Sequence, residues 1–228
     1  MIERLLPNWV SAVEASEDPP DAALFPAERA VIARAVATRR AEFTTVRMCA
    51  RAALGRLGVP AGPIVPGPRG APTWPAGVVG SMTHCAGYRA AAVARCRDAV
   101  TVGIDAEPHA PLPSGVLGAI ARPEELAWLA GTGAGWPATH WDRLLFSAKE
   151  AVYKAWYPLT GRWLDFQEAV VIPDPAAGTF AARLLVPGPD VANRVLSGFA
   201  GRFLVAEGLI VTAITVGRQQ FGPADAVH

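Results

Sequence analysis

Lysine is almost absent from this sequence of 228 residues. It contains two lysines, Lys149 and Lys154, beside nineteen arginines, and its 20 acidic residues leave a formal net charge of +1. A chain so close to neutrality is not a general polyanion binder, so we expect no nucleic-acid partner. The arginine bias is typical of a GC-rich coding sequence, which makes any single arginine uninformative. A lysine that persists against this bias is more informative.

Cysteine and long apolar runs are also scarce. Cys49, Cys85 and Cys96 lack C-x-x-C spacing, which predicts neither a disulfide framework nor a structural zinc site. The longest strongly apolar run, residues 208–217, is shorter than the roughly 20 residues that a bilayer requires. No signal-peptide pattern is present at the start, so we expect a cytoplasmic protein with no membrane partner. Hydrophobic residues make up 51% of the chain, which excludes a disordered protein.

Hydrophobic periodicity predicts three helices. The first extends over residues 26–57, from a first-turn proline to Gly58. A short helix begins at Pro123, and a stronger one covers residues 139–157, with Pro158 and Gly161 marking its end. The last helix has an apolar stripe at helical spacing, formed by Leu145, Ala148, Val152 and Ala155.

Short apolar runs between turn residues predict the strands. They cover residues 78–83, 88–96, 100–107, 163–172 and 180–186, followed by a hairpin over 202–216 that turns near Glu207. Residues 1–25 show little periodicity, and residues 60–77 are a loop rich in Gly and Pro. Because helices and strands do not alternate strictly, the fold class is α+β rather than a doubly wound sheet.

Two acidic residues follow each other at strand spacing in VGIDAEPH. Asp105 and Glu107 are two residues apart, so their carboxylates project from the same side of a strand and repel each other. A divalent cation such as Mg²⁺ between them would relieve this repulsion. Hydrated acids at a strand end are the alternative, and spacing alone favours it.

Glu150 and Lys154 share one face of the predicted helix in FSAKEAVYKAWYPLTGRW. An exposed ion pair of little consequence is the simpler interpretation of such spacing. The aromatic density around the pair favours a site, since a solvated helix face rarely needs so much aromatic surface.

Hydroxyl groups and a histidine follow a glycine in GSMTHC, residues 80–85. Such a strand end can donate hydrogen bonds to an anion. A histidine satisfied in the core is the alternative. Neighbouring residues on a strand point to opposite faces, so His84 cannot readily activate Cys85, which we interpret as a packing residue.

Taken in order, these motifs resemble the signature of the 4'-phosphopantetheinyl transferases, closest to the Sfp-type enzymes. The resemblance extends from about residue 32 to residue 163 and includes RRAEFTTVRMCARAALGRLGVP. It implies two similar α+β halves related by a pseudo-two-fold axis, with the site at their junction. It also implies transfer of the phosphopantetheine arm of coenzyme A to a serine of an apo acyl or peptidyl carrier protein, with release of 3',5'-ADP.

Residue roles follow from the resemblance. It implies that Mg²⁺, with Mn²⁺ as an alternative, is bound by Asp105, Glu107, Glu150 and the main-chain carbonyl of Ala106. Glu150 is then also the base that takes the serine proton, and Lys154 stabilises or protonates the leaving phosphate.

Coenzyme A contacts are implied in the same way. The side chains assigned to its phosphates are Arg39, Arg47, Thr83, His84 and Lys149, besides Asp105, Glu150 and Lys154. The loop Pro66, Gly67, Pro68 and Arg69 occupies the position of the family's adenine-side loop. Many relatives have a lysine there that this chain lacks, and Arg69 is a candidate replacement. Trp163 resembles an aromatic residue that lines the pantetheine channel.

The expected division places one half in residues 1–108 and the other in 109–228, in a monomer. Two other functions stay open at this point. One is another Mg²⁺-dependent phosphoryl or pyrophosphate hydrolase that uses the same acids. The other is a non-catalytic binding module whose acidic and basic residues are surface charges.

Overall fold

The computed structural model describes residues 1–221, which contain two antiparallel sheets and five α-helices. The smaller sheet has the order β1-β3-β2, with bounds Ser11–Ala15 (β1), Val78–Cys85 (β2) and Tyr88–Arg95 (β3). The larger has the order β4-β10-β9-β6-β5, with bounds Ala99–Pro108 (β4), Ala169–Asp174 (β5), Thr179–Leu184 (β6), Gly198–Ala206 (β9) and Leu209–Gly217 (β10). A separate small hairpin joins Asp190–Val191 (β7) and Arg194–Val195 (β8).

Each sheet carries one helix of 20 residues. The helices are Pro26–Val31 (α1), Ala37–Arg56 (α2), Val116–Ile120 (α3), Pro123–Ala130 (α4) and Trp141–Thr160 (α5). The long helix α2 packs on β1 and β3, and α5 packs on β4 and β10. The predicted α+β fold with two similar halves is therefore confirmed. No helix within residues 1–221 combines the length and the apolar character needed to cross a membrane.

Strand β4 joins the two halves. Its neighbour β2 holds it through two hydroxyls, because Ser81 Oγ accepts from the backbone N–H of Ile104 and Thr83 Oγ1 from that of Ala106, both at 3.1 Å. On its other face β4 meets α5 so closely that a Cβ on Gly103 would lie 2.3 Å from the carbonyl oxygen of Ala151. Only glycine fits there, and the strand end that follows is pressed against α5.

The predicted first helix, residues 26–57, is wrong in one respect, because it is two helices. Residues 32–36 separate α1 from α2, and Val36 has an extended backbone (φ −66°, ψ 159°). No glycine or proline marks this break in the sequence. The buried Ile32 lies in this break, and the local pattern does not signal it.

Three other boundaries also differ from the predictions. Helix α5 continues through Pro158 to Thr160 and ends at Gly161, which has a positive φ of 63°. The strand expected from Trp163 begins at Ala169, because Asp165 caps a short 3₁₀ turn by accepting from the backbone N–H of Gln167. Residues 11–15, which belong to the segment with little periodicity, form β1. A strand of this length contains only about two alternations of inward and outward side chains, which is too few to be recognised in the sequence.

The division after residue 108 stays a prediction. Strand β4 pairs with β10 in the larger sheet, and its hydrogen bonds to β2 are made through the hydroxyls of Ser81 and Thr83. This pairing favours a boundary between the halves that precedes β4.

Candidate active site

Asp105 and Lys154 meet where β4 crosses α5. The Lys154 ammonium donates to Asp105 Oδ1 at 2.7 Å, and Thr83 Oγ1 donates to the same oxygen at 3.2 Å. Asp105 is buried, and its second oxygen, Oδ2, has no hydrogen-bond partner among residues 1–221. A buried carboxylate oxygen without a donor is costly, so this atom is the strongest indication of a missing cationic or protic ligand.

Glu107 lies two residues further along β4 and pairs with α5 as well. Arg143 Nη1 donates to Glu107 Oε2 at 2.9 Å, while the rest of the Arg143 guanidinium donates to the carbonyls of Ala110 and Pro111. Burial raises the pKa of Glu107, and repulsion from Asp105 adds to the increase, against the opposing effect of Arg143.

Glu150 completes a group of three carboxylates. Burial raises the pKa of Glu150; Lys154 lowers it, while Asp105 and Glu107 raise it further. The three acids therefore sense one another's charge. Among residues 1–221, however, no three His, Cys, Asp or Glu side chains are arranged to hold a metal ion by themselves. A cation bound here would need ligands from water or substrate.

A cleft of about 580 Å³ opens beside Lys154 and Glu150. Its walls carry a set of basic side chains, namely Arg39, Arg47, Arg69 and His84, and apolar side chains, which include Ile32, Phe43, Trp74, Tyr153 and Tyr157. Cations grouped along one cleft attract anions, and the aromatic walls suit a flat ring.

The basic side chains of this cleft are held in place. Arg47 is buried, donates through Nε to the carbonyl of Ile64 at 2.8 Å, and lies over the Phe43 ring. Burial lowers the pKa of Arg47 to about 10, which leaves it charged at neutral pH. Arg39 contacts His84, and burial followed by the Arg39 charge lowers the pKa of His84. The imidazole is thus favoured in its neutral form.

A second, narrower cleft of about 90 Å³ begins at the same glutamate. Its lining includes Glu150, Tyr153, Trp163, Leu164 and Phe166. The rings of Tyr153 and Trp163 lie 4.9 Å apart, and the Arg69 guanidinium lies 5.3 Å from the centre of the Trp163 ring. Glu150 and Tyr153 belong to both clefts, so a long ligand could pass from one to the other at this point.

Two family models match the chain. The 4'-phosphopantetheinyl transferase N-terminal domain matches residues 27–94, and the 4'-phosphopantetheinyl transferase superfamily model matches residues 101–201. The chain is 63% identical over 219 residues to the 4'-phosphopantetheinyl transferase Svp of Streptomyces mobaraensis, covering 95% of this chain and 89% of the relative. The chain belongs to this family.

Two further relatives support the assignment of the chain to this family. The 4'-phosphopantetheinyl transferase Npt of Nocardia iowensis is 53% identical over 94% of this chain and 99% of its own length. PptT of Mycobacterium tuberculosis is 52% identical over 89% of this chain and 90% of its own length. The family acts on coenzyme A and carrier proteins, and the hydrolase alternative receives no support from these relatives.

Most of the site residues predicted from the sequence line one of the two clefts of the transferase. Arg39, Arg47, Pro66, Arg69, His84, Glu150 and Lys154 line the larger cleft, and Trp163, which is 51% exposed, lines the narrower one. Thr83 faces Asp105 instead of the cleft, while Gly67 and Pro68 are not part of its lining. For Ala106, the N–H donates to Thr83, and the role of its carbonyl stays a prediction.

Lys149 is the residue that the structure places differently. Its ammonium is 2% exposed and is occupied by Glu125 Oε2 at 2.9 Å and by three main-chain carbonyls. A group saturated in this way is not free to bind a phosphate, so the predicted phosphate contact is wrong. The physical reason is its direction on the helix, since Lys149 points about 140° away from Lys154 around α5.

Sequence reasoning missed the aromatic lining of the larger cleft as a set. Phe43, Trp74 and Tyr157 are too far apart in sequence to be grouped by any local pattern. Cys85 behaves as expected for a packing residue, since burial raises the pKa of its thiol to about 12 and it packs against the core of the smaller sheet.

Proposed function

We propose that this transferase moves 4'-phosphopantetheine from coenzyme A to a serine hydroxyl of an apo carrier protein and releases 3',5'-ADP. The observation that carries the proposal is the junction at Glu150 and Lys154. A cationic cleft and an aromatic cleft meet there, beside a buried carboxylate with an unpartnered oxygen. Coenzyme A has the matching halves, a polyanionic nucleotide and a thin, uncharged arm.

The nucleotide would occupy the larger cleft. Arg39, Arg47 and Arg69 supply charge to its phosphates, and the planar guanidinium forks suit bidentate contacts with phosphate oxygens. The arm would enter the narrower cleft between Tyr153 and Trp163. The Tyr153 hydroxyl is buried without a hydrogen-bond partner among residues 1–221, so it is available to an amide of the arm.

The acidic residues fit a divalent cation. Asp105 offers an unpartnered oxygen, and Glu107 and Glu150 repel each other's charge in a poorly solvated site. We propose that these three side chains and the carbonyl of Ala106 contribute ligands to Mg²⁺, or Mn²⁺ in its place, and that water and substrate would supply the remaining ligands. When bound, the ion would neutralise charge on the pyrophosphate.

Glu150 would remove the proton from the carrier serine. A carboxylate whose pKa is raised by burial is a better base than a solvated one. Lys154 would face the leaving 3',5'-ADP, since its ammonium is oriented by Asp105 and can donate to the departing phosphate oxygen. Acid and base then flank one phosphorus atom because they lie one helical turn apart.

We expect a monomer that serves carrier proteins, with no nucleic-acid partner. The test is transfer of a fluorescent pantetheine from labelled coenzyme A to a panel of apo acyl and peptidyl carrier proteins, with Mg²⁺, with Mn²⁺ and with chelator. Metal-dependent labelling of at least one carrier is the expected result. If no carrier in the panel is labelled, or if 3',5'-ADP is released at full rate without a carrier, the proposal fails.

A further inference from the structure

Two fully buried glutamates occupy equivalent places in the two halves. Glu28 is the third residue of α1 and Glu125 the third residue of α4, and a proline begins each helix. Each accepts a hydrogen bond from the backbone N–H that precedes its helix, Phe25 at 2.8 Å and Arg122 at 2.6 Å. Neither glutamate lines a cleft, although Glu28 Oε1 lies 3.9 Å from Arg47 Nε.

Each glutamate also binds a cation from the following long helix and a backbone N–H further along the chain. For Glu28 these partners are Arg51 at 3.0 Å and the N–H of Ile64 at 2.8 Å. For Glu125 they are Lys149 at 2.9 Å and the N–H of Val171 at 2.6 Å. A short helix, a long helix and a later segment are thereby connected through one carboxylate.

In the second half, Lys149 connects the Glu125 carboxylate to the wall of the narrower cleft. Its ammonium donates to the carbonyls of Phe166 at 2.6 Å and Ala169 at 3.0 Å, and to that of Ile120 at 2.8 Å. Phe166 and Ala169 line the cleft together with Leu164. Lys149 also directly precedes Glu150 on α5, so one side chain fixes both the wall and the segment that carries the acid.

We propose that the buried Glu125–Lys149 pair is a positioning device for the pantetheine-arm cleft. It holds the Leu164–Ala169 wall at a fixed distance from α5. Lys149 also lines this cleft, but its ammonium is taken up by Glu125 and main-chain carbonyls, so the pair acts by positioning the wall and Glu150. The inference rests on the proposed function, because it assigns the arm to this cleft. A buried ion pair is not the most stabilising filling for such a volume, whereas its several directed hydrogen bonds fix one geometry.

The experiment separates the arm from the nucleotide. Wild type and Glu125→Gln are titrated calorimetrically with coenzyme A and with adenosine 3'-phosphate 5'-diphosphate, which has the phosphates but no arm. The measured quantity is the dissociation constant of coenzyme A divided by that of the armless nucleotide. We expect Glu125→Gln to weaken coenzyme A about tenfold, which corresponds to about 1.4 kcal/mol, and to leave the armless nucleotide nearly unchanged.

Glu28→Gln is the matched control, since it breaks the equivalent connection in the other half. It should leave the ratio at its wild-type value, even where it lowers stability. If Glu125→Gln weakens both ligands by the same factor, or neither, the positioning role is wrong and the pair is only structural.

A second variant covers the case in which Glu125→Gln does not fold. Lys149→Met combined with Glu125→Leu removes both charges and fills the volume, so folding should return while the ties to the wall are lost. This variant should show the same raised ratio as Glu125→Gln, and a wild-type ratio would overturn the proposal. A wild type that binds coenzyme A but labels no carrier would instead reject the proposed function.

Discussion

The two halves of the protein use one plan for different tasks. In each, a short helix presents a buried glutamate to a cation of a 20-residue helix that covers a sheet. The side chains that reach the larger cleft differ in charge. Both charged groups that α2 contributes, Arg39 and Arg47, are basic, whereas α5 contributes a carboxylate and an ammonium, Glu150 and Lys154. A shared scaffold thus provides substrate binding in one half and proton transfer in the other.

The largest effect should come from α5, with Glu150→Gln. Loss of the proposed base should slow transfer about 10²- to 10⁴-fold, while the binding of the nucleotide by α2 is kept. Single-turnover labelling of a carrier protein, beside calorimetric binding of coenzyme A, measures both quantities. If the variant keeps more than a tenth of the wild-type rate, the assignment of proton transfer to α5 is wrong.

The second effect concerns stability and compares the two buried connections. Lys149→Met leaves Glu125 as an unpaired charge that is 1% exposed, which should cost about 3–5 kcal/mol of unfolding free energy. Arg51→Met should cost less, because the Arg47 guanidinium still lies 3.9 Å from the Glu28 carboxylate and partly compensates its charge. Urea denaturation of both variants checks the order, and equal losses would contradict it.

Lys154→Arg tests whether the two helices differ in chemistry or only in charge. Arginine keeps the positive charge but does not titrate, so transfer should fall about tenfold or more if the ammonium donates a proton. The matched exchange on α2, Arg39→Lys, should change the rate of transfer much less. Near-full activity of Lys154→Arg would reduce Lys154 to a phosphate contact.

The smallest effect is a pH dependence of the free protein. Folding raises the pKa of Glu150 above its ordinary value of 4.5, so the unfolded chain loses that proton first as pH rises. Stability is therefore lost between pH 4.5 and the raised folded pKa, and it stays lower above it. Glu150→Gln should lack this loss and be the more stable protein at neutral pH in thermal denaturation. A variant that melts below wild type would contradict the sign.

Much of the catalytic half could be predicted from sequence. The apolar stripe Leu145, Ala148, Val152 and Ala155 is buried as expected, and the expected repulsion between Asp105 and Glu107 on β4 contributes to the raised pKa of Glu107. Both predictions depend on local geometry, the alternation of a strand and the repeat of a helix. The break between α1 and α2 could not be predicted, because it is made by packing and has no residue signal.

The sequence by itself determined the family, the fold class and the face that carries Glu150 and Lys154. The tertiary structure decided what the two lysines do. Five residues at about 100° each place Lys149 and Lys154 about 140° apart around α5, so one helix cannot aim both at the same ligand. Lys154 meets Asp105 at the open junction and Lys149 meets Glu125 in the interior, because their partners come from elements that only folding brings beside α5.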